Sequence, residues 1–398
     1  MAAEIDHILA RYTSTAKEDG SLHGAAFVVR GTGADKVLYS GAAGKLNYES
    51  DAPYTEDSVS FIASMTKLIT SIAALQMVEK DLVGLDDDLG AIIPDFKGLQ
   101  LLTGFDDLGK PTFGKHTKPL SLRHLLTHSS GFGYQMFDPD LIRFLESQGI
   151  KPDASPTTFE AYKLPLKFQP GDGWVYGVSI DWAGRVVEVL TGLSLEDYFQ
   201  QNIFQPLGLK STTFRIAAHP ELHARRAALS LRAVSRGTLA ATSNIQPDEP
   251  PFDGGGQGLH STAADYAKVL GAILDGGGGI LKESTIRDLN QPQLPDPKAL
   301  EAHIFGEHHL TFAPEYPQAL RINHGLVGLL NLEDIPGKRR AGSLAWSGVT
   351  NPRWWFDPKS GLAATLFVQL LPPGDVIVAE LLDELETAVY KTFVDAKE

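Results

Sequence analysis

The chain has no cysteine among its 398 residues, so any nucleophile must be Ser, Thr, Lys, Asp, Glu, His or Tyr. A serine three residues ahead of a lysine occurs twice, as Ser14-Thr-Ala-Lys17 and Ser64-Met-Thr-Lys67. Residues i and i+3 share a helical face, so the lysine can lie beside the serine hydroxyl. At a helix N-terminus, backbone N–H groups and the macrodipole also favour developing negative charge. Together these activate a serine without histidine. The first pair sits at the end of a polar N-terminal helix and has no company. The second lies in SFIASMTKLITSIAALQMV, where an apolar segment leads into a buried helix. Taken alone, that pair also reads as a capping serine with an exposed lysine.

Other signatures are absent or incomplete. There is no G-x-S-x-G, which disfavours a nucleophile-elbow hydrolase, and Gly208-Leu-Lys-Ser lacks the order of a phosphate-binding loop. His124 and His128 stand at i, i+4, but the glutamate of H-E-x-x-H is missing. A structural role is favoured for both, with His128 near a helix C-terminus where positive charge is stabilised. Asp86, Asp87 and Asp88 have no EF-hand frame and read as a solvated turn. No metal site and no organic cofactor are expected.

The elements that must position Ser64 follow from periodicity. Ile5, Ile8, Leu9 and Tyr12 mark a short amphipathic helix, and HGAAFVVR (23–30) with KVLYSGAA (36–43) forms a hairpin. A helix is predicted over 64–80. From about 90 to 220 the pattern is short helices and loops, including 121–128 capped by Ser121, then 179–190 and 195–204. A Gly-rich turn at 253–258 runs into a helix where Thr262 and Asp265 are spaced as a capping box. Strands at 342–348, 352–358 and 362–370 precede a final helix over 375–392. These imply an α+β fold: one antiparallel sheet built from both chain ends, flanked by helices, with a mostly helical domain inserted. The boundaries expected are 1–85 with 221–398 for the sheet domain and 86–220 for the helical one, with the site between them.

Four blocks in this order carry a resemblance: SMTK (64–67), LRHLLTHSSG (122–131), QPGDGWVYGVSIDWAG (169–184) and Trp346-Ser347-Gly348, with GGQGLHSTAADYAKVL (255–270) before the last. From about residue 20 to 390 the chain resembles the serine β-lactamase-like superfamily of class C β-lactamases, D,D-peptidases and family VIII carboxylesterases. WVYGVSIDWAG, HSSGFGY and RRAGSL look similar to its fungal lovastatin-pathway acyltransferases and esterases. The resemblance implies a β-lactamase/transpeptidase-like fold and a serine hydrolase. Ser64 would be the nucleophile, Lys67 its partner in proton transfer, and Tyr176 the general base and later acid. A tyrosine ordinarily titrates near 10 and is a poor base unless a cation such as Lys67 sits beside it. The backbone N–H groups of Ser64 and Val349 would form the oxyanion hole, and Tyr134 would be a further active-site tyrosine or a packing aromatic.

Two departures bear on substrate. Trp346 stands where lactamases and peptidases carry Lys or His, and Val178 where they carry the Asn of Y-x-N. Both replace polar anchoring with apolar surface, which disfavours a polar ligand. Trp174, Trp346, Trp354 and Trp355 are therefore candidate walls of an acyl pocket or, for some of them, plain core, with Tyr134 and Gly348 also binding substrate. The expected reaction is hydrolysis or transfer of an apolar acyl group, polyketide or statin-like, from an ester or thioester through a Ser64 acyl-enzyme. A carrier-linked donor fits the same chemistry. The alternatives are a β-lactamase or D,D-peptidase on this scaffold, and a catalytically silent binding relative. With 35 basic against 49 acidic side chains the net charge is −14, which argues against nucleic-acid binding. No apolar stretch reaches the roughly 20 residues of a membrane span, and the N-terminal segment does not read as a secretory signal, so a cytoplasmic protein is expected.

Overall fold

The run GAAFVVRG is apolar on both faces, as a strand is when helices cover both sides of its sheet. It forms β1 (Gly24–Gly31), buried along its whole length, and turns into β2 (Val37–Gly44). The computed structural model describes residues 2–13, 21–33, 36–47, 51–152 and 158–395; the Ser14–Lys17 pair lies outside the described residues. Five more strands come from the C-terminal part: β3 (Ile322–His324), β4 (Leu329–Asn331), β5 (Leu344–Ser347), β6 (Arg353–Asp357) and β7 (Leu362–Phe367). They join in the order β2–β1–β7–β6–β5–β4–β3, every neighbouring pair antiparallel. Strands β3 and β4 escape the sequence pattern because three residues are too few to show an alternation.

Period-2 alternation sends the two faces of β1 to different cores. Phe27 and Val29 pack with Ile5 and Leu9 of α1 (Ala2–Tyr12) and with Leu381 and Leu385 of the last helix, Val376–Phe393. Ala26 and Val28 face the opposite cluster, which holds α2 (Thr66–Glu79). Twelve of the fourteen residues of α2 are buried, so it runs through the interior and its polar groups need partners. Thr70 Oγ1 donates to the Gly255 carbonyl at 2.6 Å and Gln76 Nε2 to that of Ile280 at 2.8 Å.

Within 86–220 helices alternate with turns and loops: α3 (Leu122–Leu126), capped by Ser121 as expected, and the longer α4 (Ser179–Thr191), which packs on α2. That stretch also holds a β-hairpin, Gln100–Phe105 with Pro111–Lys115, which the reading as helices and loops omits. Thr262 caps the following α5 (Ala263–Leu274), but the capping box stays half made. The Asp265 carboxylate turns away to accept the N–H groups of Lys210 and Ser211 at 3.0 and 2.7 Å.

A buried ion cluster ties the sheet to the segment 308–316. Arg339 is 1% exposed; it donates to Glu386 at 2.8 Å and Glu315 at 2.7 Å, with the rings of Tyr316 and Trp355 on it. Arg353 beside it donates to the carbonyls of Leu310, Thr311 and Phe312 at 3.0 to 3.2 Å. Removing one partner of such a cluster strands a charge in the interior. Arg339→Met should therefore lose about 3–5 kcal/mol of stability. Urea unfolding checks this; a midpoint equal to the parent's would show that the cluster does not hold the fold.

Candidate active site

The turn that carries Ser64 is strained and held from three sides. Ala63 has φ +46°, a left-handed conformation that costs a residue with a Cβ roughly 1–3 kcal/mol. It opens a tight 3-10 turn, Ala63–Met65, that runs straight into α2. Just before it, the Phe61 carbonyl accepts Thr350 Oγ1 at 3.1 Å and Gln369 Nε2 at 2.9 Å, and the Ile62 N–H donates to Leu259 at 3.0 Å. Beyond the end of β5, Gly348 approaches so closely that a Cβ there would stand 2.6 Å from the Ile62 carbonyl oxygen. That contact sets Val349 beside the serine turn. Among the described residues, neither the Ser64 nor the Val349 N–H has a backbone acceptor in a turn, loop or cap.

Ser64 Oγ accepts from Lys67 Nζ at 3.1 Å and from the Tyr176 hydroxyl at 2.7 Å. Lys67, 4% exposed, also donates to the Tyr134 hydroxyl at 3.2 Å and to the Gly256 carbonyl at 2.7 Å. Its Nζ lies 4.8 Å from the centre of the Tyr176 ring. The structure thus brings together Ser64, Lys67, Tyr176 and Tyr134. The two tyrosines are not equivalent: only Tyr176 reaches Ser64. Burial first, and then the neighbouring Tyr176 and Asp181, hold the Tyr134 hydroxyl well above its usual range, so it stays a phenol.

Tyr176 is held in place by rings and by one glycine. Gly177 lies so close to the chain opposite that a Cβ would come within 2.1 Å of the Phe132 carbonyl oxygen. The rings of Tyr134 and Tyr176 then stand 5.3 Å apart, and His128, Phe312 and Trp346 close around Tyr176 at 4.9, 5.1 and 5.5 Å. His128 is completely buried; burial and then the neighbouring His324 and Lys67 push it well below the ordinary imidazole range. It therefore serves as a neutral packing ring, and the expectation of a charge stabilised at the helix end does not hold. His124 turns its Nδ1 to Ser121 instead, so the i, i+4 pair does not converge. Among the described residues no three His, Asp or Glu side chains group as a metal site.

Ser64 opens onto a cavity of about 400 Å³. Its walls come from 86–220 (Tyr134 to Phe137, Tyr162, Tyr176, Val178) and from the flanking segments (Phe61, Phe252, Gln257, Thr311, Phe312, Ser347 to Val349). Gly348 and Tyr134 line it. Trp174 and Trp346 do not: both are buried behind Tyr176, on the far side of the wall. Trp354 belongs to the core, and Trp355 faces the opposite side of the sheet with α1. Apolar character alone does not say which side of a wall an aromatic takes.

Among the described residues no Asp, Glu, Lys or Arg lines the cavity. His303 and His308 do, with rings 4.6 Å apart, and burial pushes His303 down to about 4, so it is neutral near pH 7. The pair is absent from the expected site residues, although HIFGEHH (303–309) is a visible cluster of histidines. Asp181, buried in the first turn of α4, is likewise absent from them.

A family model described as Beta-lactamase matches residues 9–387. The monacolin J acid methylbutanoyltransferase of Aspergillus terreus is 37% identical over 350 residues, 86% of this chain and 84% of that protein. A lovastatin esterase of Penicillium rubens is 34% identical over 388 residues, 94% of this chain and 96% of its own. The unliganded structure of simvastatin synthase from Aspergillus terreus superposes with a TM-score of 0.89 at 32% identity, over 99% of this chain and 98% of that one. The fold with its inward-facing serine, lysine and tyrosine, and the match along nearly the whole chain, lead to one conclusion: this protein belongs to the beta-lactamase family.

Proposed function

We propose that the protein is a serine carboxylesterase or acyltransferase working through an acyl-enzyme on Ser64. The observation that carries this reading is Ser64 Oγ lying between Lys67 Nζ and the Tyr176 hydroxyl, at 3.1 and 2.7 Å. Both neighbours donate to Ser64 in the resting arrangement, so attack requires one of them to have given up its proton. Tyr176 takes that part as a phenolate, stabilised by the positive charge of Lys67 beside its ring. As Ser64 attacks the carbonyl carbon, its proton passes to Tyr176 and the oxyanion settles on the N–H groups of Ser64 and Val349. Tyr176 then protonates the departing alcohol or thiol. In the second half it takes a proton from water or an acceptor alcohol, which attacks the acyl carbon, and hands that proton to Ser64 Oγ as the acyl–serine bond breaks.

The cavity supports an uncharged acyl group. A lactam or peptide carboxylate would meet no Lys or Arg on the described walls, and the neutral His303 imidazole is a poor substitute. Relatives named for monacolin J acid and lovastatin make statin-type esters the first to try, from a free or carrier-linked donor. We read the chain as two domains, 1–85 with 221–398 and 86–220, a reading supported by cavity walls drawn from both stretches. Among the described residues no helix is long and apolar enough to cross a membrane, and we read the protein as cytoplasmic.

A fluorophosphonate probe followed by peptide mapping tests the nucleophile. Labelling is expected on Ser64 and absent in Ser64→Ala, with turnover of p-nitrophenyl butyrate far above that of nitrocefin. Labelling of another serine sinks the mechanism, and comparable nitrocefin turnover favours a β-lactamase. Gly348→Ala should push Val349 away from Ser64 and lower kcat by about 10²–10³-fold, the usual effect of losing one oxyanion donor. An unchanged kcat in that variant would remove Val349 from the oxyanion hole.

A further inference from the structure

We propose that Asp181 is a positioning residue for this site: its carboxylate braces Gly256, which holds Lys67, and supplies the counter-charge to that buried amine. The inference rests on the roles given above to Ser64, Lys67 and Tyr176. Asp181 is 1% exposed, in the first turn of α4. Its Oδ1 accepts the Gly256 N–H at 2.9 Å, while the Gly256 carbonyl accepts Lys67 Nζ at 2.7 Å. One residue therefore joins the carboxylate to the amine. Among the described residues, Asp181 Oδ2 is buried with no hydrogen-bond partner.

The Gly-rich turn is shaped around this carboxylate. A Cβ at position 256 would lie 2.3 Å from Asp181 Oδ2, and one at 254 would lie 3.6 Å from Oδ1. Only glycine at 256 lets the backbone close on the acid. The adjacent Gly255 carbonyl is taken by Thr70 of α2, which fixes the turn between α2 and α4. The titratable groups acting on or feeling the carboxylate are Lys67 from α2, Tyr134 from the loop after α3, and Tyr162 from the turn at 159–162. Lys67 is the charged one among them. Asp181 does not line the cavity, so it acts through Lys67 and not on substrate.

Burial raises Asp181 to about 6, although Lys67 and the Gly256 N–H pull the other way. It is ionised at neutral pH and takes a proton below about 6. That proton cancels the counter-charge, so the geometry and the charge fail together on the acid side. An aspartate that merely favours the start of α4 through the helix dipole would affect stability and leave the pH profile alone.

The test follows kcat, KM and the rate of fluorophosphonate labelling of the full chain across pH, with thermal unfolding alongside. In the parent, kcat should fall about tenfold per pH unit once the pH drops below the Asp181 value, as for loss of one required ionisation. Asp181→Asn should lose that acid limb, with kcat at pH 8 lowered about 10–100-fold and KM within about twofold, the pattern of a group that does not bind substrate. Gly256→Ala, which keeps the acid but displaces the turn, should move the limb to higher pH. Asp181→Asn with the parent's kcat and limb overturns the inference, as does a change confined to KM. If that variant does not fold, a parent profile flat between pH 5 and 7 overturns it on its own. Labelling on a serine other than Ser64 would instead overturn the reading of the nucleophile, so the two failures are distinguishable.

Discussion

A lysine amine buried at 4% exposure is the constraint around which the site is organised. Removing an ammonium from water is costly unless oxygens and a counter-charge replace its hydration. Lys67 Nζ finds three oxygens, from Ser64, Tyr134 and Gly256, each contributed by a different part of the chain. Ser64 stands one helical turn earlier on the same face, Tyr134 follows α3, and Gly256 belongs to the turn ahead of α5. The amine thus fixes the relative positions of elements nearly two hundred residues apart in sequence.

The surrounding structure serves that placement. The buried all-round character of α2 keeps Lys67 from reaching solvent, and the left-handed Ala63 turns the chain so that Ser64 faces the cavity. Gly348 and Gly177 let two backbone segments come close enough to set Val349 and Tyr176 beside the serine. Behind Tyr176, a wall of neutral imidazole and indole rings keeps the phenol from swinging away. Arg353 and Arg339 anchor the segment that supplies Phe312 to that wall. What remains open to substrate carries no Asp, Glu, Lys or Arg on its described faces, which suits an acyl chain better than an ion.

Much of this was legible in the sequence, and the remainder was not for physical reasons. Long periodic runs exposed α1, α2, α4, α5 and the last helix, and SMTK with WVYG exposed the serine, lysine and tyrosine. Strands β3 and β4 are three residues each and exist because β5 offers β4 an edge and β4 in turn offers one to β3, which no local pattern records. The side of the wall taken by Trp346 and Trp174 depends on strand register and loop path, so their apolar character misassigned them to the cavity. Asp181 was hidden for a related reason. A single acid in the first turn of a helix looks like a dipole partner, and only the tertiary approach of Gly256 turns it toward Lys67. The capping box at Thr262 failed in the same way, since Asp265 had better donors available at Lys210 and Ser211.

The central claim is that Ser64 carries the acyl group between donor and acceptor. Its most direct test is the mass of the protein quenched in acid during steady-state turnover of p-nitrophenyl butyrate, followed by fragmentation of the modified peptide. The account predicts one butyryl group per chain, located on Ser64 and discharged when an acceptor alcohol is added before the quench. An unmodified chain during full turnover, or a butyryl group on any other residue, would contradict it.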